Sequence, residues 1–419
     1  MSKFLVWGLG VSGRSAVKLL RSKGYEVYEG DDKEGKDFRE FLPLVDRVVL
    51  SPGIPPKHPL WKEALRLGLD VIGELELAWE FFKGKAIAIT GTDGKSTTTR
   101  LTYLMLSKFF KDVEEGGNIG TPFSEIVLKN PECFAVLEVS SFQGKTLKSF
   151  RPIGGAFLNF STDHLDWHPN LEDYLQSKYN IFSRQKEEDF LAVNAFQEET
   201  KNTPTKARKI LIGGKEAHIK DGKGYVFGKE VFSLERLKIL GMHNAMNVLT
   251  ASVIAYTLGA PEEVIQEVAY NFRGLPYRLE YLGEFNGVRI YNDSKSTTPN
   301  ALRSALESMP DHKVILIAGG KDKGLNFEDL HTLVSKKVKA CLLIGEAKEK
   351  IAKAWNKATD IYLFNSLEEA VEKALCIAKR GDVILFSPAC ASFDMFRDYK
   401  ERGDKFKAFV EEFYEVYKN

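Results

Sequence analysis

Cysteine and excess charge are both scarce in this sequence. Cys133, Cys341, Cys376 and Cys390 stand far apart among 419 residues, without the paired spacings that zinc sites or disulfide frameworks require. A reduced, cytoplasmic enzyme is therefore expected. The 59 basic and 58 acidic residues leave a formal charge of +1, which argues against a protein held to nucleic acid by bulk charge. Long apolar runs are missing as well: none reaches the roughly 20 residues that span a bilayer, so no membrane association is expected. The opening MSKFLVWGLG turns glycine-rich before a signal-peptide core can build up. Low-complexity tracts and short repeats are lacking. What remains is an ordinary globular balance, 43% hydrophobic and 28% charged, in a chain long enough for two or three domains.

Short apolar strands alternate with helical patterns in three blocks. The first carries strands at 4–8, 25–29, 47–51 and 69–73, with a helix from about Ser12 to Lys23. The second opens on KAIAIT (85–90), runs into a helix from Ser96, and continues with strands at 134–139, 155–160 and 190–194. A hairpin is expected within 213–229, then helices at about 243–258 and 261–271. The third has strands at 288–293, 313–320, 340–345, 361–364 and 382–386. Alternation of this kind calls for parallel sheets with crossover helices. The pattern predicts an α/β protein of three domains. These are a Rossmann-like unit over 1–83, a P-loop unit over 84–274 and a doubly wound Rossmann-like unit over 275–419, with Gly274 and Pro276 breaking the helix at the second boundary.

Thr90-Gly91-Thr92-Asp93-Gly94-Lys95-Ser96-Thr97 lies between a strand and a helix. Glycines let the backbone N–H groups face a phosphate, the helix N-terminus adds its positive end, Lys95 neutralises phosphate oxygens and the Ser96 hydroxyl suits Mg²⁺. The strict pattern has glycine where Ile89 stands, and the alternative is an ordinary strand–turn–helix junction. Glu138 closes FAVLEV, where a P-loop fold places its metal-holding carboxylate; otherwise it is a surface glutamate. His164 and His168 are spaced to share a helix face, but Leu165 occupies the position of a zinc protease's glutamate. His164 reads better as a second-metal or phosphate contact. Gly8, Gly10 and Gly13 form GxGxxG, with Asp31 and Asp32 about 20 residues on. That pattern leaves a dinucleotide-dependent dehydrogenase, another diphosphate ligand or a mere packing turn open. HNAMN (243–247), NDSKSTTPN (292–300) and SPACASFD (387–394) each join a strand end or helix start to polar groups, as at ligand clefts of doubly wound sheets. Each is also readable as capping alone.

TGTDGKST, LEVSSFQ, DHLDWH, HNAMN, YRLE, NDSKSTTPN, GGKDKG and SPACASFDMF occur in the order found in the Mur ligases. The chain resembles that family from Gly8 to about Lys405. SSFQ and SPACASFDMF favour its D-glutamate-adding branch. The resemblance implies a monomeric enzyme of peptidoglycan synthesis using ATP and Mg²⁺. ATP would phosphorylate the L-alanine carboxylate of UDP-N-acetylmuramoyl-L-alanine, and the D-glutamate amine would displace phosphate from the acyl phosphate. By the resemblance, Gly91, Thr92, Asp93, Gly94, Lys95, Ser96 and Thr97 cradle ATP, with Ser96 and Glu138 on one Mg²⁺. His164 and Lys178 serve a second, Lys178 as a carbamate. Asn247, Arg278 and Asp293 match nucleotide contacts. Val11, Ser12, Asp31, Ser51 and Gly53 fall where UDP binds, and Asn118 and Ser140 resemble contacts to the UDP-muramoyl substrate and the phosphate region. Thr297, Lys323, Ser392 and Tyr399 match positions that grip D-glutamate. Asp93 stands where the family commonly has asparagine, Tyr399 where phenylalanine is familiar and Phe393 where leucine is. The rivals are another Mur ligase, a folylpolyglutamate synthase-like ligase, the dehydrogenase and a non-catalytic nucleotide-binding module.

Overall fold

The computed structural model describes residues 2–417. Three β-sheets carry the chain. The first joins β1 (Lys3–Trp7), β2 (Glu26–Gly30), β3 (Arg47–Leu50) and β4 (Asp70–Gly73) in the order β2-β1-β3-β4, all parallel. Its central strands are unbroken apolar runs because helices cover both faces; Phe4 to Trp7 and Val48 to Leu50 are all buried.

The second sheet holds β5 (Lys85–Thr90), β6 (Val113–Gly117), β7 (Phe134–Glu138), β8 (Gly154–Phe157), β9 (Phe190–Asn194), β10 (Arg208–Ile212), β11 (Ala217–Lys220), β12 (Lys223–Val226) and β13 (Lys229–Ser233). Their order is β13-β12-β11-β10-β9-β8-β5-β7-β6. Near its middle, β5 contributes Ile87 and Ile89, fully buried and each worth about 1.5–3 kcal/mol of burial. The strand carrying the phosphate loop is thus firmly anchored. The expected hairpin is β11–β12, turning at Asp221-Gly222, and β13 extends it at Phe227-Gly228. Both pairs have positive φ, as right-twisted two-residue turns require.

The third sheet orders β14 (Glu280–Phe285), β15 (Val288–Asn292), β16 (Val314–Gly319), β17 (Val338–Ile344), β18 (Asp360–Leu363) and β19 (Val383–Phe386) as β14-β15-β19-β16-β17-β18. All pair in parallel except β14, which turns back on β15 at Asn286-Gly287. Hydrophobic clusters line both faces, one around Trp355 and Leu316 and one around Phe386 and Phe406.

Packing divides the described residues into two compact units, 2–236 with 246–270, and 237–245 with 271–417. The first two sheets thus share one unit. Cys133, Cys341 and Cys390 are buried free thiols and Cys376 an exposed one. Burial pushes Cys133 up to about 11 and Cys390 to about 12, and raises Cys341 as well. No helix among the described residues is long and apolar enough to cross a membrane.

Candidate active site

The phosphate loop begins where β5 ends. Gly91 (φ +157°) and Gly94 (φ +80°) adopt backbone conformations that side chains disfavour. Gly94, which has no side chain to cap with, precedes the helix Lys95–Ser107, and a helix N-terminus after a glycine loop suits an anion. A β carbon on Gly94 would lie 2.5 Å from Asn247 Oδ1, so Asn247 is seated against the loop. Lys95 Nζ donates to the carbonyls of Gly91 at 3.0 Å and Thr92 at 2.7 Å.

β7 lies beside β5 with Glu138 opposite Ile89. That register delivers a carboxylate, 2% exposed, to the loop's flank. Glu138 accepts from Ser96 Oγ at 2.7 Å and from Asn118 Nδ2 at 2.8 Å. A hydroxyl and a carboxylate meeting beside a phosphate cradle fit Mg²⁺, which takes few protein oxygens along with phosphate and water. Ser140 follows at once and forms a capping box with Gln143 at the helix Ser141–Lys145.

Lys178 comes from the helix Leu171–Tyr179 and is 1% exposed. Its Nζ donates to Gly91 O at 2.8 Å and sits 4.8 Å from the Tyr174 ring centre. Burial, and then the neighbouring Lys95 cation, lower its pKa well below the usual lysine range, against the pull of Asp163, Glu138 and Asp93. An amine so placed loses its proton readily.

Residues 161–170 form turns rather than a helix, yet both histidine rings pack on Phe142 and Tyr174. His164 has φ +54°, is partly exposed with Nε2 3.4 Å from Asp163 Oδ2, and meets Phe142 edge-on. His168 is buried, with Nδ1 2.6 Å from Asp173 Oδ2 and Nε2 2.9 Å from Ser141 Oγ. Burial lowers its pKa despite Asp173. Among the described residues no three His, Cys, Asp or Glu side chains form a ready metal cluster.

Sequence reading missed the residue that shapes the loop from outside. Asn159 Oδ1 accepts from the N–H groups of Thr92 at 3.0 Å and Asp93 at 2.8 Å, while its Nδ2 donates to Asp93 O at 3.0 Å. Thr92 Oγ1 also lies 3.1 Å from Tyr174 OH. Asn159 was visible in the sequence only as the first polar residue after β8.

On the first sheet, Gly8 (φ +91°) turns the chain. A β carbon on Gly13 would fall 1.9 Å from Gly8 O, so the helix Val11–Ser22 packs directly on that turn. Leu9 N donates to Asp31 Oδ2 at 2.7 Å and Lys33 N to Asp31 Oδ1 at 3.0 Å; these donors hold Asp31 below its usual range. Asp32 accepts from Trp7 Nε1 at 2.8 Å. Both acids that a dehydrogenase would direct at a ribose thus support the turn. Ser51 Oγ donates to Gly8 O, and Val11 and Gly53 are exposed with Ser12 partly so.

On the third sheet, Asp293 follows β15 and is buried, accepting from Leu279 N at 3.1 Å and Ser387 Oγ at 2.8 Å. Burial pushes it up to about 7, against Arg278 and Arg402. Exposed Arg278 stands between Tyr277 (φ +63°) and Leu279 (φ +44°). Buried Arg402 donates to Ser294 O, Ser294 Oγ and Cys390 O, tying two strand-end loops together. Ser294 Oγ donates to Tyr399 O at 2.7 Å. Buried Ser392 and exposed Lys323 lie on loops joined by a bridge between Lys321 and Ala391. Thr297 is partly exposed just past Asp293. Many of the sequence-selected residues thus lie just past strand ends, while Lys178, Asn247 and Tyr399 come from helices.

The Mur ligase middle domain model matches residues 89–255, and the Mur ligase glutamate ligase domain model matches 277–390. The UDP-N-acetylmuramoylalanine--D-glutamate ligase of Aquifex aeolicus (strain VF5) is 62% identical, covering 98% of each chain. The chain belongs to the Mur ligase family. The enzyme of the same name from Hydrogenobaculum sp. (strain Y04AAS1) is 49% identical over 97% of this chain and 98% of its own. Among solved Mur ligases, the UDP-N-acetylmuramate-alanine ligase of Thermotoga maritima shares the fold at TM-score 0.59 and 20% identity, covering 99% of this chain and all of its own. The MurF ligase of Thermotoga maritima, solved in complex with ADP, does so at TM-score 0.57 and 19% identity, covering 88% and 96%.

Proposed function

We propose that this chain joins D-glutamate to UDP-N-acetylmuramoyl-L-alanine in peptidoglycan synthesis, cleaving ATP to ADP and phosphate. The observation that carries this reading is the phosphate loop with Lys95 at its head and the Ser96–Glu138 pair at its flank. The full-length similarity to enzymes of that name supports the choice of substrates.

The loop's glycines and the first turn of Lys95–Ser107 receive the ATP phosphates, and Lys95 leaves its loop carbonyls to offset their charge. Asn247, Arg278 and Asp293 hold the rest of the nucleotide. Ser96 and Glu138 hold one Mg²⁺, with His164 and Lys178 holding a second. Bound there, Mg²⁺ supplies charge neutralisation for the phosphoryl group and the carboxylate that attacks it. The L-alanine carboxylate oxygen bonds to the γ-phosphorus as ADP departs. The D-glutamate nitrogen then adds to the acyl carbon, loses a proton, and phosphate leaves. Lys178 as a neutral amine combines with CO₂, releasing one proton, to become the oxygen ligand that a bare amine cannot be. Asp93 adds a negative charge beside the phosphates, which raises the demand for Mg²⁺.

Residues 1–83 take the UDP portion through Val11, Ser12, Asp31, Ser51 and Gly53, and residues 84–274 take ATP. Asn118 and Ser140 position the muramoyl part. Residues 275–419 take D-glutamate through Thr297, Lys323, Ser392 and Tyr399. Free thiols throughout suit a reducing cytoplasm, where the enzyme acts as a monomer.

The test is phosphate release with ATP, Mg²⁺ and UDP-N-acetylmuramoyl-L-alanine, adding D-glutamate, L-glutamate, L-lysine or meso-diaminopimelate in turn. Release with D-glutamate alone, and a product heavier by one glutamyl residue, is expected. Release with a different amino acid would move the protein to another branch.

A further inference from the structure

Ser141, His168 and Asp173 form a continuous hydrogen-bonded chain that uses both imidazole nitrogens. Asp173 Oδ1 also pairs with Lys145, so Asp173 is an ionised acceptor. The ring proton therefore sits on Nδ1, and Ser141 Oγ–H donates to Nε2. The connectivity is that of a nucleophilic serine relay, but Ser141 and His168 are 2% and 1% exposed, and a buried hydroxyl cannot meet a substrate carbonyl. Its effect is mechanical.

Three elements with proposed catalytic groups meet at this ring. Ser141 opens the helix that follows Glu138, and Lys145 closes it. Asp173 lies in the first turn of the helix that carries Lys178. His168 N donates to His164 O at 2.9 Å, which fixes the His164 turn. The two helices touch closely enough that a β carbon on Gly144 would lie 2.2 Å from Ser177 O. One short helix is thus gripped at its head by His168 and at its tail by Asp173.

We propose that His168 is a positioning residue for the ligase reaction, holding Glu138, His164 and Lys178 in register without touching substrate. This rests on the ligase reading above. Loss of such a supporting contact costs about 10–100-fold in activity, and here it should fall on kcat, because the hydrogen bonds of His168 go to Ser141, Asp173 and His164 and not to the phosphate loop itself.

The full chain carrying His168→Phe, His168→Gln or Ser141→Ala tests this, with kcat and KM measured alongside the folded fraction. His168→Phe should lose about 30-fold in kcat, with KM for ATP and D-glutamate within about twofold. His168→Gln, whose amide oxygen reaches Ser141, should recover at least about fivefold of that loss, and Ser141→Ala should lose about fivefold. Wild-type kcat per folded molecule in all three variants, or a change confined to KM, would overturn the proposal. In the wild-type protein, ¹⁵N imidazole spectra should show His168 neutral with its proton on Nδ1. The Nε2–H form would overturn the clamp, whether or not the protein ligates D-glutamate. Absence of any ligation by wild type, with the Nδ1–H form present, would sink the ligase reading alone.

Discussion

Lys178 Nζ lies 2.8 Å from the carbonyl oxygen of Gly91, so a buried amine is tethered to the opening residue of the phosphate loop. Two lysines, Lys95 and Lys178, therefore converge on one carbonyl, and burial and the Lys95 cation hold the pKa of Lys178 well below the usual lysine range. With ¹³C-enriched bicarbonate, the wild-type protein should show a carbamate carbon resonance that Lys178→Met lacks. The same substitution should lower turnover at least about 100-fold, the scale of losing a preorganised electrostatic group. Full turnover in Lys178→Met would remove this residue from the machinery.

Lys95→Ala and Glu138→Ala should each abolish most turnover, by about 100-fold or more, while far-UV circular dichroism stays at the wild-type level. Glu138→Ala also strands Ser96 and Asn118, at about 1–3 kcal/mol of stability. Retained activity in both variants would refute the phosphate and metal assignments.

Asn159→Ala removes the acceptor shared by two loop N–H groups. It should raise KM for ATP more than KM for D-glutamate, since its hydrogen bonds are all made to the phosphate loop or its strand. Gly94→Ala should do the same through two separate costs: the left-handed backbone, about 1–2 kcal/mol, and the contact with Asn247 Oδ1. Unchanged nucleotide binding by calorimetry in either variant would contradict this role for the loop geometry.

Asp293 supplies a pH dependence whose sign is fixed. Its carboxyl rises from 3.8 to about 7 on folding, so the folded state binds a proton that the unfolded chain releases. The associated stability is present below pH 3.8 and is lost as pH rises through about 7, amounting to about 4 kcal/mol at most. Denaturant titrations at pH 4, 5, 6 and 7 should show stability falling with pH in the wild type. Asp293→Asn should flatten that slope; an equal slope in both proteins would exclude Asp293 as its source.

Much of this arrangement was legible in the sequence because buried parallel strands advertise themselves as apolar runs. Of the strands that escaped notice, β10 (RKILI) alternates, with Ile210 and Ile212 buried, and two others lack the mark altogether. β6 reads VEEGG and sits at the sheet's edge, and β14 reads EYLGEF, with a register shift between Tyr281 and Gly283. The phosphate loop was readable because glycine, lysine and hydroxyl fall within a single turn. Asn159 was not, since its partners lie 66 and 67 residues away and asparagine after a strand usually signals a turn. His168 differs in another way: its spacing from His164 suggests a shared helix face, whereas residues 161–170 are turns that still bring both rings onto Phe142 and Tyr174. The spacing also gave no hint of the contact with Ser141, 27 residues upstream.

The distribution of thiols has a practical consequence. Cys133, Cys341 and Cys390 are walled off and hold their protons at neutral pH, whereas Cys376 faces solvent on the helix Leu367–Ile377. A maleimide dye or spin label added to the native protein will therefore attach at one address, on the helix layer that flanks the third sheet. The wild-type sequence already carries a unique spectroscopic handle, and no cysteine-free background has to be engineered before that helix is labelled.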